Sequence, residues 1–268
     1  MKEKTKLLTV SYLLFLLLLA LSGYLDGVLS QVAYYGAFII PVVLALYMSR
    51  SDESRPLEYL RLDREGVRIL AVSAAPTIGA VWLFSFLTAL LIEALTGKTD
   101  IPEVADTLPM AILTSALIPA VVEELLFRYL PMRLLAPFSR GRAVWLSAVF
   151  FAVAHMSPFS LVYAFFAGVI FMAIDLAAES IWPSVILHFV NNVVNIIMIF
   201  YPTIEVKIGV IVSLCLLFAI TLPLFIVRRR EVAEKFRSAF ARGEQAPFDP
   251  VPLLFIIPAA VVGASVLF

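Results

Sequence analysis

The chain has 268 residues, of which 62% are hydrophobic and 15% are charged. Soluble domains carry about 45–50% apolar and about 25% charged residues, so this composition excludes an ordinary soluble domain. The net charge is zero and there is a single cysteine, Cys215, so we expect no nucleic-acid partner and no internal disulfide.

Apolar segments follow one another along the whole chain. A helix needs about 20 mostly apolar residues to cross the hydrocarbon, and its backbone polar groups must be paired internally there. We therefore predict an all-α, polytopic bundle of about eight to nine transmembrane helices that forms one membrane domain over residues 1–268. The segments are 7–22, 28–48, 69–95, 109–135, 143–156, 160–178, 182–200, 206–227 and 251–268. The fifth is short for a crossing, and Pro252 and Pro258 interrupt the ninth.

The basic residues are distributed unevenly between the two sides of the predicted membrane. All but three of the 20 lysines and arginines fall before the first segment or in alternate loops on the same side as the N-terminus; the exceptions are Lys98, Arg128 and Lys207. Lysine and arginine are enriched in cytoplasmic loops. We therefore expect an integral membrane protein, in the plasma membrane, with a cytoplasmic N-terminus. The sequence indicates no oligomeric state.

Glu123, Glu124 and Arg128 are embedded in the fourth segment. Charged groups at the centre of a span cost about 2.5–3.5 kcal/mol each and are usually functional. Glu124 and Arg128 are four residues apart, so they share one helical face and can form an ion pair. Glu123 is rotated from Glu124 by roughly 100°, which leaves its carboxylate free to face a cavity and to act as a general base.

The only two histidines also lie in apolar segments. His155 ends the fifth, in the sequence Phe151-Ala-Val-Ala-His155, and His188 lies in the seventh, in His188-Phe-Val-Asn-Asn192. Asn192 is four residues from His188 and Asn195 is seven, so all three lie on one helical face. A polar stripe on an apolar helix must turn toward protein or water, either for chemistry or as hydrogen-bonded contact between helices.

Taken in order, these residues resemble the three signature motifs of the CAAX protease and bacteriocin-processing family, which includes the type II CAAX prenyl endopeptidases. The motifs are Glu123-Glu124-x-x-x-Arg128, Phe151-x-x-x-His155 and His188-x-x-x-Asn192, and the run from Ser180 into Asn192 is similar as well. The resemblance covers about residues 109–200, which would be the catalytic core region.

The resemblance implies an intramembrane endopeptidase whose site is sunk into the bilayer and open to the cytoplasm. Glu123 and His155 would activate water, His188 and Asn192 would stabilise the oxyanion, and Arg128 would hold the glutamate motif through Glu124. The substrate would be a peptide or protein with a C-terminal CAAX sequence, prenylated if the family name applies, and membrane lipid would surround the enzyme. A carboxylate base, an imidazole and an amide donor are sufficient for water to attack an amide.

Three alternatives remain. Glu123, His155 and His188 could instead hold zinc with an open fourth position, although no His-Glu-x-x-His motif supports it, and we favour a site without metal or other cofactor. The protein could be a non-catalytic immunity or scaffold protein of the same fold. A transporter with a polar ion site is the third possibility, but the sequence shows no inverted repeats.

One geometric requirement follows from the map of segments. In a straight fifth helix, His155 would lie toward the outer surface, far from His188. The two histidines can meet only if the fifth helix stops within the membrane, with a turn at Met156-Ser-Pro-Phe159. Pro158 makes such a break plausible because proline interrupts helices.

Overall fold

The structure is a computed structural model that describes residues 2–49, 58–97, 107–155 and 157–241. Within these ranges the chain forms α-helices and one short 3₁₀ turn, Glu58–Leu60. The helices are α1 (Lys2–Ser22), α2 (Gly27–Met48), α3 (Arg64–Thr96), α4 (Leu108–Leu134), α5 (Arg140–Ala154), α6 (Pro158–Ala178), α7 (Trp182–Phe200) and α8 (Ile204–Ala241). All except α5 are long and apolar enough to cross a membrane. The helical membrane bundle expected from composition is confirmed.

The fifth and ninth apolar segments depart from a simple series of crossings. The fifth segment forms α5, whose 15 residues span about 22 Å at about 1.5 Å per residue. That length is less than the hydrocarbon thickness of about 30 Å. The ninth segment, 251–268, lies outside the described residues. Seven candidate spans are therefore found in the described part of the chain.

Successive helices run in opposite directions. One end of the bundle therefore contains the first residues of α1, α3, α5 and α7 and the last residues of α2, α4, α6 and α8. We call this the basic end, because Arg64, Arg140, Arg228 and Arg230 lie there. Ion pairs join its helices: Lys235 Nζ lies 2.8 Å from Glu65 Oε1, and Arg140 lies 3.3 Å from Glu179. The Trp182 indole also donates to the Leu60 carbonyl at 2.9 Å.

Helix α4 runs through the middle of the bundle. Phe127, in the second half of this helix, is 1% exposed. Its ring lies 5.6–5.7 Å from the rings of Tyr12 and Phe15 on α1, and 5.6 Å from Phe151 on α5. Aromatic pairs at such separations add to the stabilisation from burial. The helix that carries the glutamate pair is thus fixed on several sides.

Two π-helical segments interrupt α4, at Leu113–Leu117 and Leu125–Tyr129. A proline follows each of them closely, at Pro119 and Pro131. Proline lacks an N–H and clashes with the preceding turn, and a wider π turn relieves that clash. Pro131 cannot donate to the carbonyl of Phe127, and the Ser147 hydroxyl of α5 donates to that carbonyl instead. The two wide turns flank the short stretch that contains Glu123 and Glu124.

Helices α5 and α6 pack closely against each other. A Cβ atom added at Gly168 would lie 2.8 Å from the Ala148 Cα atom, which is shorter than any real contact. Small residues allow such close approach between membrane helices. Helix α5 ends at Ala154, and α6 begins at Pro158, where a proline suits the first helical turn. The helix break therefore lies between Ala154 and Pro158, as predicted from the requirement that His155 and His188 lie close together.

Candidate active site

Glu123 and Glu124 lie next to each other in sequence but in different surroundings. The Glu124 side chain is fully buried, and its Oε2 atom lies 3.1 Å from Arg128 Nε. The Glu123 side chain is 14% exposed and lines a cavity. The four-residue spacing places Glu124 on the face of Arg128, whereas Glu123 is rotated away from it. One carboxylate is held by a cation, and the other faces open space.

Arg128 is fully buried between aromatic rings. Its guanidinium carbon lies 4.2 Å from the centre of the Phe151 ring and 5.8 Å from that of Phe171. Guanidinium groups stack favourably on aromatic faces, and more so when they are removed from water. Arg128 therefore ties α4 to α5 and α6 while it neutralises Glu124.

His188 connects α7 to both glutamates. Its Nδ1 atom lies 2.8 Å from Glu124 Oε1, and its Nε2 atom lies 4.0 Å from Glu123 Oε2. Because a carboxylate only accepts, the hydrogen bond to Glu124 assigns a proton to Nδ1. The ring is thereby oriented, and Nε2 points toward Glu123 and the cavity.

His155 is oriented by its own helix. It caps the C-terminus of α5, and its Nδ1 atom lies 2.8 Å from the Phe151 carbonyl oxygen. That carbonyl can only accept, so Nδ1 carries the proton and Nε2 is left with a lone pair. The ring packs edge-on to Phe151 and Tyr163, at 4.8 and 6.2 Å between centres.

The asparagines of α7 form a short hydrogen-bonded chain that begins on α3. The Trp82 indole N–H donates to Asn191 Oδ1 at 3.1 Å, and the Asn191 amide donates to Asn192 Oδ1 at 3.3 Å. Asn191 and Asn192 both line the cavity. Asn195, expected on the same face, is exposed instead and is not part of the lining.

A cavity of about 450 Å³ collects these residues. Glu123, His155, His188 and Asn192 all line it, so the structure brings together the residues that the three motifs contribute. Its remaining lining comes from α2 to α7 and is half polar and half apolar: Tyr34, Val81, Thr114, Ser115, Pro119, Phe151, Tyr163, Ala167, Phe171 and Asn191. Substrate atoms in this space would contact a carboxylate, two imidazoles and two amides, together with hydroxyl, aromatic and aliphatic side chains.

The cavity lies deep in the bundle. Glu123 is about 16 Å from the end of α4 at the basic end, at about 1.5 Å per residue, which is near the middle of a hydrocarbon layer about 30 Å thick. From there the lining continues to Thr114, close to the opposite end of α4, and to Tyr163, close to the start of α6. The cavity thus extends from mid-depth away from the basic end. The resemblance implies a site open to the cytoplasm, and that expectation conflicts with a cytoplasmic basic end.

Behind the cavity, a second buried carboxylate supports α7. Asp175 of α6 is 0% exposed and accepts two hydrogen bonds from Ser184, from the backbone N–H at 3.0 Å and from the hydroxyl at 2.6 Å. These bonds fix the first turn of α7, and His188 lies one turn further along the same helix. Asp175 was not among the predicted site residues, although an acidic residue in the apolar run Phe171-Met-Ala-Ile-Asp175 is a signal by the rule applied to Glu123.

Two residues at or near the cavity, outside the motif region, were also missed. Tyr34 comes from α2, and Trp82, which contacts Asn191, comes from α3. Tyrosine and tryptophan in apolar spans look like ordinary packing residues, so their sequence context gave no signal. Only the packing of α2 and α3 against α4 and α7 places them near the site.

The cavity contains side chains of the kinds that bind zinc, namely imidazoles and a carboxylate. Glu123, His155 and His188 are the set expected for a zinc site. Among the described residues, however, no group of three or more His, Cys, Asp and Glu side chains is arranged so that it could hold a metal ion.

The fold and the cavity together define an integral membrane protein, a helical bundle with a carboxylate, imidazoles and amides buried at mid-depth. Residues 105–194 match a family model described as Type II CAAX prenyl endopeptidase Rce1-like. The match spans α4 to α7 and confirms the family resemblance over about a third of the chain. No curated protein and no solved structure matches the chain.

Proposed function

We propose that the protein is an intramembrane endopeptidase of the CAAX-processing type that uses water activated by Glu123. The observation that carries the proposal is the convergence of Glu123, His155, His188 and Asn192 on one cavity. The match of α4 to α7 to the endopeptidase family supports a proteolytic enzyme. Each of these residues supplies a group that amide hydrolysis needs.

The first step is the attack of water on the carbonyl carbon of the scissile peptide. Glu123 removes a proton from the water, and the Nε2 lone pair of His155 accepts a hydrogen bond that positions it. A new C–O bond forms, and the carbonyl oxygen becomes an oxyanion. Glu123 then returns its proton to the peptide nitrogen as the C–N bond breaks, which releases an amine and a carboxylic acid that afterwards loses its proton to water.

The oxyanion requires hydrogen-bond donors that are in place before the reaction. Asn192 offers its amide NH₂, since its Oδ1 atom is occupied by Asn191. His188 offers Nε2 when its ring carries both protons, and the carboxylates of Glu123 and Glu124 beside it stabilise that charged ring. Arg128 keeps Glu124 in place and does not touch the substrate.

The substrate class follows from the chamber and the family name. The polar side chains of the cavity suit a peptide backbone, and its aromatic and aliphatic side chains, such as Phe151, Phe171 and Val81, suit a hydrophobic attachment. A prenylated CAAX C-terminus carries both. Comparing the cleavage of prenylated and unprenylated forms of one CAAX peptide tests this choice. Equal kcat/KM for the two forms would remove prenylation from the proposal.

The central test is peptide hydrolysis by the purified full-length chain, with Glu123→Gln as the variant. Glutamine has the same shape but cannot accept the proton, so turnover should fall by more than about 10³-fold. The matched control is Glu93→Gln, because Glu93 is exposed on α3 and far from the cavity lining. A Glu123→Gln protein with normal turnover would overturn the mechanism. A wild-type chain that cleaves nothing would favour the non-catalytic scaffold.

Metal dependence is tested separately, because the histidine arrangement also has precedent in metal sites. A carboxylate behind a histidine, such as Glu124 behind His188, commonly orients metal-binding histidines. We propose metal-free hydrolysis, in which a chelator leaves turnover unchanged. Loss of activity on chelation, restored by zinc, together with one tightly bound zinc per chain that His188→Ala removes, would contradict it.

We also propose that the basic end faces the cytoplasm of the plasma membrane, as the distribution of lysine and arginine favours. Substrate would then reach the cavity from the opposite leaflet or laterally from lipid. Single cysteines placed at Met48 and Tyr201, which are exposed at opposite ends of the bundle, test the orientation with a membrane-impermeant thiol reagent in a Cys215→Ala background. Labelling of the cysteine at position 48 from outside intact cells would reverse it.

A further inference from the structure

The indole of Trp82 makes a contact that constrains the asparagines of α7. Its Nε1–H donates to Asn191 Oδ1 at 3.1 Å, across the interface between α3 and α7. An indole N–H can only donate. The amide of Asn191 must therefore turn its oxygen toward Trp82, because the reverse orientation would bring two donors together.

The orientation of the Asn191 amide in turn determines the orientation of the Asn192 amide. With its oxygen toward Trp82, Asn191 has its NH₂ group free, and that group donates to Asn192 Oδ1 at 3.3 Å. The oxygen of Asn192 is then occupied, and its own NH₂ group remains to face the cavity that Asn192 lines. Without Trp82, each amide could rotate by 180° at little cost, and a carbonyl oxygen would then face the chamber.

We propose that Trp82 is a positioning residue that fixes the polarity of Asn191 and Asn192, so that Asn192 presents a donor rather than an acceptor to the developing oxyanion. The inference rests on the proposed function, because an oxyanion has to form there for the polarity to matter. Trp82 lies outside the matched region of residues 105–194. Trp82 would thus contribute to catalysis without touching the substrate, because it contacts Asn191 and does not line the cavity.

The first variant is Trp82→Phe in the full-length chain, with Trp145→Phe as the matched control, since Trp145 is 61% exposed on α5. Removing the indole N–H deletes one neutral hydrogen bond, so kcat should fall about two- to ten-fold. KM should stay nearly constant, because an oxyanion forms only in the transition state. Trp145→Phe should leave both constants unchanged.

A second variant inverts the polarity while it preserves size. The carboxylate of Asn191→Asp can still accept from Trp82, but it cannot donate to Asn192. The Asn192 amide must then turn its NH₂ group toward residue 191 and its oxygen toward the cavity. We expect kcat to fall by about 10²–10³-fold, as when an oxyanion donor is lost.

A double-mutant cycle separates this mechanism from simple packing or a stray charge. In an Asn192→Ala background, both Trp82→Phe and Asn191→Asp should change kcat by less than about two-fold, because their shared target is gone. Undiminished effects in that background, or a Trp82→Phe protein with wild-type kcat, would overturn the inference while the protease function stands. A wild-type chain that cleaves no peptide would overturn both.

Discussion

Helices α4 and α8 show opposite relations between hydrophobicity and burial. The most apolar stretch of α8 has a mean hydropathy of 2.9, yet only 6% of it is buried within the protein. The corresponding stretch of α4 has a mean hydropathy of 1.8, and 44% of it is buried. In a soluble protein the more hydrophobic helix would lie inside. In a bilayer the apolar helix can face lipid, whereas charged groups must be turned toward protein.

The difference between α4 and α8 shows at which positions a membrane protein of this kind tolerates substitution and at which it does not. On α8, apolar residues are largely interchangeable because lipid tails fill whatever space they leave. On α4, a fully buried ion pair and a partly exposed carboxylate occupy consecutive turns of one helix. Substitutions should therefore have large effects on the inward faces and small effects on the lipid face, and three predictions measure this contrast.

The largest effect on stability is expected from Arg128→Ala on α4. It leaves Glu124 without its cation in a buried site and removes the contact with the Phe151 ring. Breaking a buried ion pair typically costs about 3–5 kcal/mol, so expression and thermal stability in detergent should fall. Arg230→Ala, at an exposed position of α8, is the control. If both variants melt at the same temperature, Arg128 is solvated and the contrast with α8 fails.

Next in size is the effect of Asn192→Ala on turnover, compared with Asn195→Ala on the same helix. Asn192 lines the cavity, whereas Asn195 is exposed. Losing an oxyanion donor costs about 10²–10³-fold in kcat, so Asn192→Ala should fall in that range and Asn195→Ala should resemble wild type. Steady-state kinetics on one peptide measure both variants. Equal losses would assign the two asparagines a common structural role.

The smallest effect is expected on α8, where Leu216→Ala pairs with Leu126→Ala on α4. Leu126 is 0% exposed, and Leu216 is 59% exposed. Truncating a buried leucine leaves a cavity and costs about 2–5 kcal/mol, whereas a truncated lipid-facing leucine is replaced by lipid and should change stability by less than about 0.5 kcal/mol. Thermal unfolding in the same detergent compares them. Comparable destabilisation would mean that α8 packs against a partner.

The fold and much of the site could be predicted because membrane constraints act residue by residue. Runs of apolar residues indicated the helices, and the cost of burying charge singled out Glu123, Glu124 and Arg128. The same rule, applied to Asp175, would have found the carboxylate that holds the start of α7. Trp82 and Tyr34 could not be predicted, since their importance depends on which helices become neighbours. The π turns beside Pro119 and Pro131 also depend on packing, because Ser147 supplies the hydrogen bond that proline removes.

The short length of α5 affects the surrounding lipid as well as the position of His155. It spans about 22 Å, whereas the neighbouring helices are long enough to cross the whole bilayer. A hydrophobic element shorter than the hydrocarbon draws the lipid surface toward it, and the cost rises with each ångström of mismatch. A dimple in the leaflet above the end of α5 would bring headgroups and their water toward His155. Lipid chain length would then regulate how readily water reaches a reaction buried at mid-depth, and a membrane that thickens would slow the enzyme without touching any of its residues.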